Sequence, residues 1–305
     1  ETVYPPPPWE KYTLWQQKKT AVYNTSIGGN MMTGPDSGLY ITPDRLRSFG
    51  ENTARRLRLT GAVPAKRVVR ELYAALSRIR RVHDLFEEKY KSSSDVPRAA
   101  EWLLDNWYLA QREGKYAAEE FRVAGRLREC SDGVLITEAC GALVRSGMGR
   151  VDADRIELFI GGFQSVLPLS RAELSLLVPG IKAALVNELA GVCGEKPEER
   201  PGEFDSIFTS LRLLWTLDLS ELLDRVDLTE RVLRRDPACV YPLMDERTRD
   251  HYRRRVTALA RETGFDEQRL ARDVLSLSEN GTSEERHVGY WLFTRPLGYA
   301  KKENR

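Results

Sequence analysis

The feature that most constrains this chain is a face of apolar side chains. From Pro64 onward, Val69, Leu72, Tyr73, Leu76, Ile79, His83, Phe86 and Tyr90 recur at steps of three and four residues. That spacing places all of them on one side of an α-helix about seven turns long, and a strand with its period of two cannot use it. A helix that long needs partners of the same kind. The sequence supplies them, because alternating β-branched runs are missing almost everywhere. Val134 to Thr137 is the single short candidate, and it fits better at the start of a helix reaching Leu143.

Start and stop signals divide the rest into helices. Thr42-Pro43-Asp44 offers an acceptor oxygen followed by a proline where no N–H is needed. Ser92 to Asp95 breaks the long helix, and Pro97 opens the next. Ser170 with Glu173, Asp218 with Glu221 and Asp227 with Glu230 have capping-box spacing. Asp245 caps a densely charged helix whose buried stripe is Tyr252, Val256, Leu259 and Ala260, with Met244 as a hydrophobic staple. Arg247, Arg249 and Arg253 to Arg255 fall on its other faces. Gly264 ends that helix and Asp266 caps the next. The expected class is all-α, a multi-helix bundle or stacked helical hairpins behind an extended N-terminal arm. The expected divisions are an arm at 1–41 with Pro5 to Pro8, a helical subdomain at 42–194, a polar loop at 195–206 and a second helical subdomain at 207–305.

Bulk properties exclude several classes. A formal net charge of +2, with 30% charged residues, gives no general field for nucleic acid or an acidic membrane. The arginine pairs Arg80-Arg81 and Arg234-Arg235, and the run Arg253 to Arg255, sit among acids of similar number and read as solvated faces. No stretch approaches the roughly 20 apolar residues that span a bilayer; the most apolar run, from Leu174, is interrupted by Pro179, Gly180 and Lys182. Cys130, Cys140, Cys193 and Cys239 are dispersed and read as buried free thiols in a reducing compartment. With His83, His251 and His287 equally scattered, no metal site is expected. Asp152-Ala153-Asp154 is a D-x-D, but it precedes an apolar helical face and reads as a capped helix start rather than a metal-diphosphate ligand. No nucleophile elbow, zinc motif or triad spacing is present, so no catalytic residue and no cofactor-binding residue is assigned.

Two segments stand out. Glu101, Trp102, Asp105, Asn106, Trp107, Tyr108 and Gln111 put two indoles among hydrogen-bonding side chains over about three turns. Such a set suits a sugar-binding surface, and it suits a buried polar helix contact better. The other segment, DPACVYPLMDERTRDHYRRRVTALARETG, begins at Asp236.

These stretches resemble one family. EWLLDNWYLAQREG is similar to the WLxDNxHxIxEQ helix of cyclic β-1,2-glucan synthases. The segment from Asp236 resembles their DPAGVYxxMDFxTRDxYRxxVExLAxxS element, and EERHVGYWLF from Glu284 resembles the RRxHVGYYLI that follows it. The likeness runs from about Arg45 to Leu297. Glu246 stands where the family has Phe, and Tyr108 where it has His. The resemblance implies a large inner-membrane parent that polymerises glucose from UDP-glucose with a divalent metal. The parent's Asp motifs and Q-x-x-R-W element are not in this chain. The chain then corresponds to a helical segment on the cytoplasmic face, cut from a longer protein as its Glu1 start suggests, without a cofactor of its own. Its partners would be the remainder of that polypeptide, including membrane helices and transferase domain, and β-1,2-glucan. A surface for glucan or for another domain would draw on Trp102, Asp105, Asn106, Trp107, Tyr108, Tyr241, Asp245, Arg249, Tyr252, His287 and Tyr290. Three functions follow as expectations: a non-catalytic scaffold or glucan guide, a part of the catalytic unit, or a helical interaction module unrelated to sugars. A sugar surface requires these residues to cluster, with Asp245 paired to Arg249 and an indole partly exposed.

Overall fold

The computed structural model describes residues 40–294 except 195 and 218. These belong to the second of two compact units, 1–38 and 39–305. The N-terminal arm, and the proposed cap at Asp218, lie outside the described residues.

The elements run α1 (Pro43–Arg56), β1 (Leu59–Pro64), α2 (Lys66–Tyr90), α3 (Arg98–Val123), β2 (Arg126–Cys130), β3 (Gly133–Val134), α4 (Leu135–Ser146), α5 (Ala153–Val166), α6 (Arg171–Ser175), α7 (Leu177–Val192), α8 (Pro201–Leu213), α9 (Leu219–Val226), α10 (Leu228–Leu233), α11 (Glu246–Thr263) and α12 (Glu267–Asn280). The fold is predominantly helical, as the apolar periodicity requires. Helix α2 buries Val69, Leu72, Leu76, Ile79 and Phe86, while Tyr73 points to solvent. Most of the caps read from the sequence are present. Asp152, Asp245 and Asp266 each accept a hydrogen bond from a backbone N–H three residues on. Ser170 and Glu173 form a complete capping box, and Gly264 closes α11 in the left-handed region. Thr42 precedes α1 without a side-chain cap.

Two expectations change. A three-stranded antiparallel sheet, ordered β1-β2-β3, interrupts the helices, with Val63 opposite Leu127 and Glu129 opposite Val134. Its anchor is Arg128, whose guanidinium donates to the buried Glu173 and, at 2.7 Å, to the Pro168 carbonyl. The polar stretch 195–206 is no boundary either, since Pro201 already begins α8 and that helix packs on α3 and α7. The core divides later: one hydrophobic cluster runs from Leu46 to Val226 and a second from Leu233 to Leu292.

In the first cluster α1 and α5 approach until backbones touch. A Cβ on Gly50 would sit 2.3 Å from the Phe159 carbonyl oxygen, and one on Gly162 would sit 2.0 Å from that of Arg47. Only glycine fits at these two crossings.

Candidate functional site

The segment from Asp236 builds a polar centre in the second cluster. Asp236 is buried, and its carboxylate collects four donors. Oδ2 accepts from the backbone N–H of Val240 at 3.1 Å and of Tyr241 at 3.0 Å. The same oxygen lies 2.8 Å from Nδ1 of His287, and Oδ1 accepts from the Val288 N–H at 3.0 Å. Burial alone would raise the Asp236 carboxyl, but these hydrogen bonds outweigh it and hold the group below the usual range. With Nδ1–H donating to Asp236, the other ring nitrogen of His287 accepts from the Tyr252 hydroxyl at 2.9 Å. The Tyr252 phenol is pushed up by burial and by the Asp236 charge. Gly289 makes this contact possible, because a Cβ there would lie 2.5 Å from the Tyr252 oxygen and 2.6 Å from His287 Nε2. Asp236, His287, Gly289 and Tyr252 thus form one relay between the turn before α11, α11 itself and the segment after α12.

Beside it lies a buried ionic network. Glu230 of α10 is fully buried. Its Oε1 accepts from Arg234 and Arg249, both at 2.8 Å, and its Oε2 accepts from Arg253 at 2.8 Å and from the Tyr241 hydroxyl at 2.5 Å. Asp224 of α9 adds contacts to Arg234 at 2.8 Å and to Arg249 at 3.0 Å. Glu246 pairs with Arg249 at 2.7 Å and also with Arg253. Three guanidinium groups therefore face three carboxylates across α9, α10 and α11, and Arg253 reaches a fourth, Asp250, at 3.7 Å. Glu230 does not complete the expected capping box: Asp227 caps α10 alone, taking the N–H groups of Thr229 and Glu230. Arg253, read from sequence as solvated, is buried within the network. Burial drives the Tyr241 phenol far up, and the Glu230 carboxylate drives it further.

The candidate residues separate into two groups. Trp102, Asp105, Asn106, Trp107 and Tyr108 lie on α3, in or on the first cluster. Tyr241, Asp245, Arg249, Tyr252, His287 and Tyr290 surround the second cluster, so the expected single site does not form. Trp102 is half-buried and stacks on Phe208 at 6.3 Å, with planes 9° apart. Asn106 is buried, donates to the Trp102 carbonyl at 2.8 Å and accepts from Arg212. Trp107, also half-buried, tilts against His83. Asp105 and Tyr108 are exposed. Asp245 spends its carboxylate on Thr248, at 3.0 Å to the N–H and 2.7 Å to the hydroxyl, and forms no ion pair with Arg249. Tyr290 packs edge-on against Trp291.

His83, Asp84 and Glu87 of α2 are a grouping with metal-ligand chemistry. Both carboxylates there are exposed, and Asp84 also pairs with Arg80 at 3.6 Å. A shallow cleft of about 680 Å³ borders α2 and α7, lined by Glu71, Ser77, Arg78, Arg81 and Asn187. None of its lining residues belongs to the relay or the network.

Sequence reasoning missed a cluster between α3 and α7. Glu113 is buried, at 1% exposure. It pairs with Lys182 of α7 at 2.8 Å and with Arg112 at 2.9 Å. Burial would raise its carboxyl, but hydrogen bonds from Lys182, Trp215 and Arg112 bring it below the ordinary range. Lys182, the one charge in an otherwise apolar helix face, was the signal in the sequence.

Comparison of the sequence with protein-family models gives no match, and comparison with curated proteins gives none either. Among the described residues, no helix is long and apolar enough to cross a membrane.

Proposed function

We propose that this chain is a helical accessory domain of a membrane-bound glucan synthase that uses UDP-glucose, supporting the transferase and its growing glucan rather than transferring glucose itself. One observation supports the reading. Nine residues of the two C-terminal stretches through which the chain resembles that family (Asp236, Tyr241, Asp245, Thr248, Arg249, Tyr252, Arg253, His287 and Gly289) hydrogen-bond, ion-pair or pack with one another or with Glu230, Asp224 and Glu246. They knit α10, α11 and the segment after α12 together. A motif used in this way fixes architecture, and the architecture is what the rest of a synthase would dock on.

The relay from Asp236 through His287 to Tyr252 favours a second reading, participation in the catalytic unit, because an oriented imidazole beside a phenol is the arrangement a general base uses. A single assay separates the two. The chain is incubated with radiolabelled UDP-glucose, Mg²⁺ and short β-1,2-gluco-oligosaccharides. The accessory reading expects neither chain-dependent release of UDP nor elongation of the acceptor. Turnover that disappears in His287→Ala would overturn it in favour of the second.

A further inference from the structure

Trp215 follows directly on α8 and is 58% exposed, yet it is held in place. The Arg112 guanidinium covers its ring at 4.0 Å from the centroid. The Lys182 ammonium lies 5.9 Å from the same ring and 4.5 Å from that of Tyr116, itself 49% exposed. Both cations are fixed by the buried Glu113 carboxylate. A buried charge paired on two sides has no freedom to wander, so the exposed rings above it are pre-organised before anything binds. Each ring is braced by a cation and still leaves about half of its surface to water; exposed apolar surface of that kind favours burial, and its rigidity lowers the ordering cost of a ligand. Tyr108, 60% exposed, continues the same face of α3 two turns before Tyr116, about 12 Å along the axis.

We propose that Trp215, Tyr116 and Tyr108 form a stacking platform for a neutral glucan chain. Aromatic faces suit the C–H faces of pyranose rings, while Arg112, Lys182 and the exposed Asp105 offer donors and an acceptor to the hydroxyls. Charge argues for neutrality. Both cations pair with Glu113, and a second carboxylate, Glu120, lies beside the Tyr116 hydroxyl, so the patch holds as many acids as bases. A nucleotide or phosphate would require cations without such partners. The identity of the glucan rests on the accessory-domain reading above; the platform itself rests on the geometry.

The test is calorimetric titration of the full chain with linear β-1,2-gluco-oligosaccharides, and separately with UDP-glucose plus Mg²⁺. The expected result is saturable oligosaccharide binding, weakened at least tenfold by Trp215→Ala and by Tyr116→Ala. Tyr73→Ala, an exposed aromatic on α2, serves as the unaffected control. Tyr108→Ala, at the most exposed of the three rings, provides a variant that leaves the Glu113 cluster intact, and it should also weaken binding. Absence of oligosaccharide binding, binding indifferent to all three variants, or preference for UDP-glucose would overturn the proposal. So would self-association of the wild-type chain that Trp215→Ala abolishes, since the face would then be taken by a second copy. Failure here leaves the turnover assay unaffected: a platform without binding and a chain with transferase activity are separate results.

Discussion

Glu230 is where the structure concentrates most interaction on one side chain, and Glu230→Gln is therefore the most demanding substitution to predict. The amide keeps the volume but removes the charge facing Arg234, Arg249 and Arg253, and its NH₂ group points a donor where the carboxylate accepted. Breaking one side of a buried ion pair costs about 3–5 kcal/mol. The partial partners Asp224 and Glu246 keep the expected loss within that range and not above it. The Tyr241 hydroxyl loses a charged acceptor too, a change of about 1.5–3 kcal/mol when made alone; because the groups are coupled, the two losses do not add. Against a total stability of about 5–15 kcal/mol, Glu230→Gln removes a large fraction. Urea unfolding followed by far-ultraviolet circular dichroism measures it. With a slope near 3 kcal/mol per molar the midpoint should fall by about 1–1.7 M. Tyr241→Phe should fall less, and Glu230→Gln in the Tyr241→Phe background should add less than it does alone. A midpoint shift below about 0.3 M for Glu230→Gln would refute the claim that this carboxylate organises the second cluster.

Other outcomes follow from neighbouring features. Gly289→Ala drives a methyl into the Tyr252–His287 contact and should destabilise by about 1–3 kcal/mol, read as a lowered thermal midpoint with the near-ultraviolet tyrosine signal altered. Asp236 has a carboxyl lowered by folding, so its stabilisation is fully present above the unfolded value near 3.8 and is lost as pH falls through the folded one. Asp236→Asn should therefore lower stability at neutral pH and flatten the acid limb of the stability profile, measured by denaturant midpoints from about pH 5 down to about pH 2; a parallel acid limb would contradict the assignment. Of the four thiols, Cys239 is exposed and the other three are buried, with burial pushing Cys193 up to about 12. A disulfide reagent should label one thiol per native chain rapidly and the other three only on unfolding.

What the sequence disclosed follows from how local each signal is. The face of α2, the caps at Asp152, Asp227, Asp245 and Asp266 and the Gly264 stop are decided within a turn or two, and these are present. The sheet was illegible because β1 is exposed along most of its length and so lacks apolar alternation, and because its partner lies more than sixty residues away. Glu230 looked like the third residue of a capping box. It is instead taken by arginines that follow it by 19 and 23 residues, a competition no window around α10 contains. Cys239 looked like the other cysteines and is exposed only because the turn after Asp236 projects it, with a φ of 56°. Trp102 and Trp107 drew notice as indoles, yet among the described residues the exposed indole is Trp215, whose setting depends on Lys182 and Arg112 from two other helices.

The bond between Asp236 and His287 spans 51 residues, and that span has a consequence for synthesis. At about 5–20 residues per second, the ribosome makes His287 about 3–10 s after Asp236. The first cluster ends at Val226 and can close during that interval. The turn at Asp236 and the arginines of α11 must wait, with the apolar face of α11 uncovered, until the residues around Val288 and Leu292 emerge. A nascent chain paused in that window is the form in which this protein is most open to a chaperone or a protease.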